Sequence, residues 1–271
     1  MLAKIAKRTM SITSNPILTR ERRHSLNTAL KVQIYSELGK LRATSPGCMG
    51  VADLDGTLMN REWPLPLDLS MIFEKVEAHL CPVRISTGRS YDFLNQHPLI
   101  SPLANESENE YGAKRGSELT IPFSKAQQAR AEIIEVAQIL KTLDQYKIGD
   151  DTEFSCIFAI NSNNRKAVSQ LTQLYQDQIK PLFPNNEMSL TERSLTVLQV
   201  RANTGTQKGD NFPNILFALG DDPTFDSSLL YEAERFFAVG KRFYDENLTK
   251  KPNYFLNSPK EAQDLLRYLG S

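Results

Sequence analysis

Short apolar runs alternate with amphipathic stretches along this chain. Cys48–Leu54, Pro82–Ser86, Ile215–Leu219 and Arg235–Val239 are largely uninterrupted apolar runs, the pattern of strands buried on both faces. Leu67–Leu80, Phe225–Glu234 and Pro259–Leu269 instead space their apolar residues three and four apart, which predicts helices with one buried stripe. This alternation predicts an α/β fold with a parallel sheet and crossover helices. Between residues 123 and 207 the pattern changes. Long helical stretches, Ala126–Tyr146 and Asn164–Ile179, now accompany strand-like Glu153–Ile160 and Ser194–Arg201. The sheet pattern resumes only afterwards, so this block reads as an inserted α+β unit. The predicted organisation is an extension over 1–46, a core in two pieces, 47–122 and 208–271, and an insert over 123–207.

The extension carries most of the charge asymmetry. It holds nine Lys/Arg against Glu21 and Glu37, a net of +7; since the whole chain has 32 basic and 32 acidic side chains, the remaining 225 residues carry −7. Leu26, Leu30, Ile34, Leu38 and Leu41 recur at helical spacing, which reads as a helix docked on the domain or on a protein partner. The basic, Ser/Thr-rich composition also fits an organelle transit peptide. Zero net charge argues against nucleic acid as a partner. No apolar run approaches the roughly 20 residues that span a bilayer. Cys48, Cys81 and Cys156 form no CxxC pair and read as reduced core thiols of a cytoplasmic protein, without a zinc or redox site. His24, His79 and His97 lie outside every motif.

Three strand ends carry the candidate chemistry. The first is Asp53-Leu54-Asp55-Gly56-Thr57, two carboxylates two apart after a buried strand, with a glycine that lets the chain turn. Crowded carboxylates are costly without a cation, and an oxygen-only donor set favours Mg²⁺. The second is Ser86-Thr87-Gly88-Arg89, a hydroxyl and a glycine ahead of a helical stretch whose N–H groups suit a phosphate. The third is Gly220-Asp221-Asp222-Pro223-Thr224-Phe225-Asp226, preceded by Lys208-Gly209. An acidic turn alone is commonplace; this ordered set is not.

In these motifs the chain, from about Cys48 to Leu269, resembles the haloacid dehalogenase superfamily of phosphatases. The resemblance implies a Rossmann-like parallel-sheet core and an inserted α+β cap. It implies Asp53 as the nucleophile and Asp55 as the general acid and then base. Thr87 and Gly88 would bind phosphoryl oxygens, and Lys208 would neutralise charge on the nucleophile and the phosphoryl group. Asp53, Asp55, Asp221 and Asp222 would form the Mg²⁺ site, with Asp226 in support. A cap placed after the second motif implies a small phosphorylated metabolite, and the Gly220–Asp226 segment is most similar to that of trehalose-6-phosphate phosphatases.

Three departures bear on the substrate. Phe225 stands where that subfamily has Asp, Gln199 where its cap has Glu, and the loop from Lys208 to Ile215 is short. Other sugar-phosphate phosphatases share the cap class. A catalytically weakened protein that binds a sugar phosphate or a protein partner is the rival reading, and a phosphomutase is a third. Arg115, in Tyr111-Gly112-Ala113-Lys114-Arg115, reads as a substrate contact or a hinge residue, and Trp63 as a sugar-stacking or packing residue.

Overall fold

The computed structural model describes residues 26–141, 147–149, 152–161, 164–192, 195–244 and 248–271. The first 25 residues of the basic segment lie outside that set. Helix α1 (Thr28–Thr44) opens the described chain, with the Asn27 side chain accepting from the Leu30 N–H at 2.9 Å. Satisfying that otherwise unpaired amide fixes where the helix starts. Its Ile34 and Leu38 are fully buried in the main apolar core. Glu37 holds it from the side, pairing with Arg235 (Nε to Oε1 2.6 Å) and with the Tyr254 hydroxyl.

Strand β1 (Met49–Ala52), helix α2 (Leu69–His79), strand β2 (Val83–Ile85) and helix α3 (Tyr91–Gln96) follow. Two-residue strands β3 (Glu108–Asn109), β4 (Lys114–Arg115) and β5 (Glu118–Leu119) make a small antiparallel sheet. Next come α4 (Phe123–Leu140), β6 (Lys147–Gly149), β7 (Ser155–Asn161), α5 (Arg165–Leu174), α6 (Lys180–Leu182), β8 (Glu187–Glu192) and β9 (Leu195–Arg201). The chain ends with β10 (Ile215–Gly220), α7 (Ser227–Glu232), β11 (Arg235–Val239), β12 (Tyr254–Leu256) and α8 (Pro259–Leu269).

Five strands form one parallel sheet in the order β12-β11-β10-β1-β2. This is the predicted α/β arrangement. β1 lies inside it, and Val51, Ala52, Phe217 and Leu219 have no exposed surface, which explains the uninterrupted apolar runs. α8 follows its sequence pattern closely: Ala262, Leu265, Leu266 and Leu269 are buried, and the Ser258 hydroxyl caps the Glu261 N–H. The residues between β5 and β10 build a second, antiparallel sheet in the order β6-β7-β9-β8. α4 and α5 share a separate core with it, in which Ile133, Val136, Leu140, Phe154, Phe158 and Leu171 are buried. β12 escaped the sequence pattern because three residues flanked by Pro252 and Asn257 give too little periodicity to register. β6 and β8 were missed as well, being polar strands at the edges of their sheet.

Candidate active site

β1, β2 and β10 are neighbours, so their carboxyl ends share one edge of the sheet. That edge is where open α/β sheets gather functional groups. Asp53, just after β1, stays in register with β10 through its N–H, which donates to Leu219 O at 3.0 Å. Its buried carboxylate accepts from Lys208 Nζ at 2.5 Å. The same ammonium donates to Asp226 Oδ1 at 2.7 Å, and Asp226 Oδ2 accepts from the Asp221 and Asp222 N–H groups at 2.9 and 3.0 Å. Asp226 therefore both anchors Lys208 and folds the loop that presents Asp221. Carboxylate oxygens of Asp53, Asp221 and Asp226 all lie within 4.8 Å of one another.

Two glycines make this approach feasible. Gly56 has φ +86°, and a Cβ there would overlap the Asp221 carboxylate. A Cβ on Gly220 would run into Asp226. A side chain at Gly56 would push the two acidic loops apart, and one at Gly220 would displace Asp226 within its own loop.

Crowding shows in the electrostatics. Burial pushes the Asp53 carboxyl well above its ordinary range despite Lys208, with Asp226 and Asp221 adding to the rise. Asp221 is pushed up to about 7, again mainly by burial and then by Asp226. The Lys208 ammonium is held well above its ordinary range because Asp226 and Asp53 outweigh the cost of its burial. Asp53, Asp221, Asp222 and Asp226 face the cations Lys208 and Arg242. Among the described residues, with all four acids ionised these two cations leave two negative charges unbalanced. A divalent cation is the complement of that charge and of the all-oxygen donor set, so these residues fit Mg²⁺.

At the rim, two other carboxylates are taken by arginines. Arg89 grips Asp55 with both prongs, Nε to Oδ2 at 2.7 Å and Nη2 to Oδ1 at 2.9 Å, while its guanidinium lies 4.5 Å from the Phe93 ring centre. Arg242 pairs with Asp222 Oδ2 and lies 3.9 Å from Asp221 Oδ2. The other Asp222 oxygen accepts from the Thr224 N–H at 2.9 Å. The expected metal set is thus divided: Asp53 and Asp221 converge with Asp226, whereas the carboxylates of Asp55 and Asp222 are engaged elsewhere.

Thr87, two residues past β2, is buried, its hydroxyl accepting from the Arg89 N–H at 3.2 Å. Gly88 packs so closely on Tyr111 that a Cβ would collide with the phenol. Arg115 is exposed, 6.0 Å from the Phe212 ring centre.

Three residues that organise the site escaped sequence reasoning. Glu108 is completely buried and accepts from Ser86 Oγ (2.6 Å), the Gly209 N–H (2.7 Å), and the N–H and side-chain amide of Asn211 (both 3.0 Å). It pins the short loop after Lys208 to the end of β2, which is how a loop without a helix delivers its lysine. Tyr111 is the second. Its ring lies 5.1 Å from Phe225 and 4.6 Å from the Arg201 guanidinium, and its hydroxyl accepts from Gln199 Nε2 at 2.5 Å. Phe225, anomalous as an acid replacement, is thus the aromatic partner of Tyr111. Glu110 and Tyr111 both have left-handed backbones, φ 50° and 57°, a strained geometry that surrounding contacts must enforce. Arg242 is the third; nothing in its local sequence distinguishes it from a surface arginine.

No protein-family model and no curated protein matches the chain. Solved structures do match. The C-terminal domain of the trehalose-6-phosphate phosphatase of C. albicans superposes with a TM-score of 0.62 at 16% identity, covering 91% of this chain and 98% of that one. A trehalose-6-phosphate phosphatase related protein gives 0.57 at 16% identity, covering 82% and 96%. A haloacid dehalogenase-like hydrolase from Bacteroides thetaiotaomicron gives 0.54 at 12% identity, covering 82% and 99%. The parallel sheet, its inserted antiparallel unit and these superpositions together establish that the chain has the haloacid dehalogenase fold, in the form shared with trehalose-6-phosphate phosphatases.

Proposed function

We propose that this chain is a Mg²⁺-dependent phosphomonoesterase for a sugar phosphate of the trehalose-6-phosphate type, with a core of residues 47–122 and 208–271 and a cap of residues 123–207. The observation that carries the reading is the convergence of Asp53, Lys208, Asp221 and Asp226 at the carboxyl edge of the sheet.

In this reading an Asp53 oxygen attacks phosphorus and the bond to the sugar oxygen breaks. Asp55 gives that oxygen its proton, which releases the sugar and leaves an aspartyl phosphate on Asp53. Asp55 then takes a proton from water as the water oxygen attacks phosphorus, freeing inorganic phosphate and restoring Asp53. Asp55 must leave Arg89 to do this, and an ion pair whose side chains are 35% and 44% exposed is cheap to open. Thr87 and the Gly88 N–H receive phosphoryl oxygens, and Lys208 offsets charge between nucleophile and phosphoryl group. Asp53 and Asp221, supported by Asp226, would hold Mg²⁺, which when bound supplies Lewis-acid stabilisation of the phosphoryl charge. Gln199 and Arg201 on β9 lie on the cap side of Tyr111 and supply polar groups for sugar hydroxyls; Arg115 is a further substrate contact at the rim.

The rival reading, a sugar-phosphate-binding protein without turnover, draws on the Arg89 clasp of Asp55 and on Phe225. Phosphate release from a panel of sugar phosphates, trehalose-6-phosphate included, separates the two. Magnesium-dependent release that EDTA and Asp53→Asn abolish supports the enzyme, and binding without release from any member supports the rival. No helix among the described residues is long and apolar enough to cross a membrane. A cytoplasmic site of action is part of the proposal; of the basic residues 1–46, helix α1 packs on the core, and the part ahead of it is the targeting or partner-binding segment. Sequencing the N-terminus of the protein isolated from cells tests for removal of that segment.

A further inference from the structure

The geometry points to Arg242 as the residue that sets how tightly the carboxylate cluster holds a divalent cation. This inference rests on the metal site of the proposed function and adds a residue from the turn after β11.

Arg242 opens the short turn after β11, residues Arg242–Tyr244. Its Nη1 pairs with Asp222 Oδ2 and stands 3.9 Å from Asp221 Oδ2, so its positive charge borders a carboxylate of the buried triad. Asp222 is fixed on both sides, by Arg242 and by the Thr224 N–H. It therefore acts as a bracket that holds the guanidinium beside Asp221 rather than as a member of the triad.

The guanidinium has two effects of opposite sign. It relieves repulsion among four crowded acids in the metal-free protein, together with Lys208, which pairs with Asp53 and Asp226. It also repels any cation entering the triad, and a fixed charge this close is poorly screened because the Asp221 and Asp222 side chains are only 11% and 17% exposed. An arginine keeps its charge at every physiological pH, so the repulsion is permanent. Without Arg242 the cluster has one more uncompensated negative charge and binds a divalent cation more tightly. Arg242 holds the affinity low, leaving the ion exchangeable.

The test is calorimetric titration of the metal-free full-length protein with MgCl₂, repeated with MnCl₂ followed by the electron paramagnetic resonance of free Mn²⁺. Arg242 is partly exposed, so its variants are expected to fold, and circular dichroism verifies this. Arg242→Gln is expected to bind either ion about tenfold or more tightly than wild type, whereas the charge-preserving Arg242→Lys stays within about threefold. Raising the salt concentration should narrow the gap between Gln and wild type only slightly, since the site is enclosed. Equal or weaker binding by Arg242→Gln overturns the inference while leaving the metal site standing, provided that wild type binds and Asp221→Asn does not. Absence of binding by both wild type and Arg242→Gln overturns the metal site and the inference with it.

Discussion

Aspartates at the centre of the site and those at its rim are the same residue type in the same two loops, yet they are handled in opposite ways. Asp53 and Asp226 are buried and share one ammonium. Asp55, two residues on, and Asp222, beside Asp221, each have an arginine that reaches in from another loop. Burial makes the central interactions mutually dependent, because removing one partner strands the others in low dielectric. At the outer rim, where the Asp55 side chain is 44% exposed, water can replace a lost partner, so the Arg89 pair stands or falls alone. Motif membership therefore does not set a carboxylate's role. Its depth and the cation that reaches it do.

The contrast is most vulnerable at the centre. Asp53→Asn is expected to lower phosphate release by about 10⁴-fold or more, because the proposed nucleophile is lost rather than weakened, while circular dichroism stays native; residual turnover within tenfold of wild type would remove Asp53 from the proposed mechanism. Asp226→Ala should cost about 3–5 kcal/mol in urea unfolding, since it strips Lys208 of a partner and leaves the Asp221 and Asp222 N–H groups unpaired in a buried loop. A loss below 1 kcal/mol would show that the centre is not interdependent.

Glu110 tests burial at the joint between the two sheets. It accepts from the Phe154 N–H at 3.1 Å, and burial raises its carboxyl to about 7 although Lys114 is close. A carboxyl raised on folding binds its proton more tightly in the native state, so stability should fall as pH rises from about 4.5 to 7 and level off above it, by at most about 3 kcal/mol. Glu110→Gln should flatten that part of the curve; an unchanged slope would assign it to other groups. Least is expected at the rim: Arg89→Gln should change stability by less than about 1 kcal/mol in the same urea assay. A larger loss would mean that rim and centre are one network.

The fold was readable in the sequence wherever burial is two-sided. β1, β10 and β11 lie in the middle of the sheet, and cover on both faces leaves no position along such a strand where a polar side chain could reach water. Ile215–Leu219 and Arg235–Val239 accordingly mark their strands almost to the residue. Polar edge strands such as β8 carry no such mark. In the site, Asp53, Thr87, Lys208 and Asp221 were legible because strand ends and glycines announce them. Which of Asp222 and Asp226 turns inward was not legible, because that depends on Arg242, some twenty residues later, and on the N–H groups that Asp226 caps. Glu108 was hidden for a similar reason: its partners Gly209 and Asn211 are about a hundred residues away. Tyr111 gave a weak signal, a tyrosine before a glycine, whose meaning lies in the aromatic Phe225 across the cleft.

The position of β1 bears on how the protein comes into being. On one side it pairs with β2, which follows closely in the chain; on the other, Ala52 pairs with Leu219, after the whole inserted sheet has been made. A ribosome therefore emits β1 long before its second neighbour exists. Until β10 arrives, the apolar strand that will carry Asp53 has an open flank, and Lys208, which arrives shortly before β10, is still missing. Long-range parallel pairing of this kind is slow and prone to aggregation. The inserted unit, with a core of its own, has the means to fold during that wait, which would place the step most exposed to chaperones and misassembly at the synthesis of the last fifth of the chain.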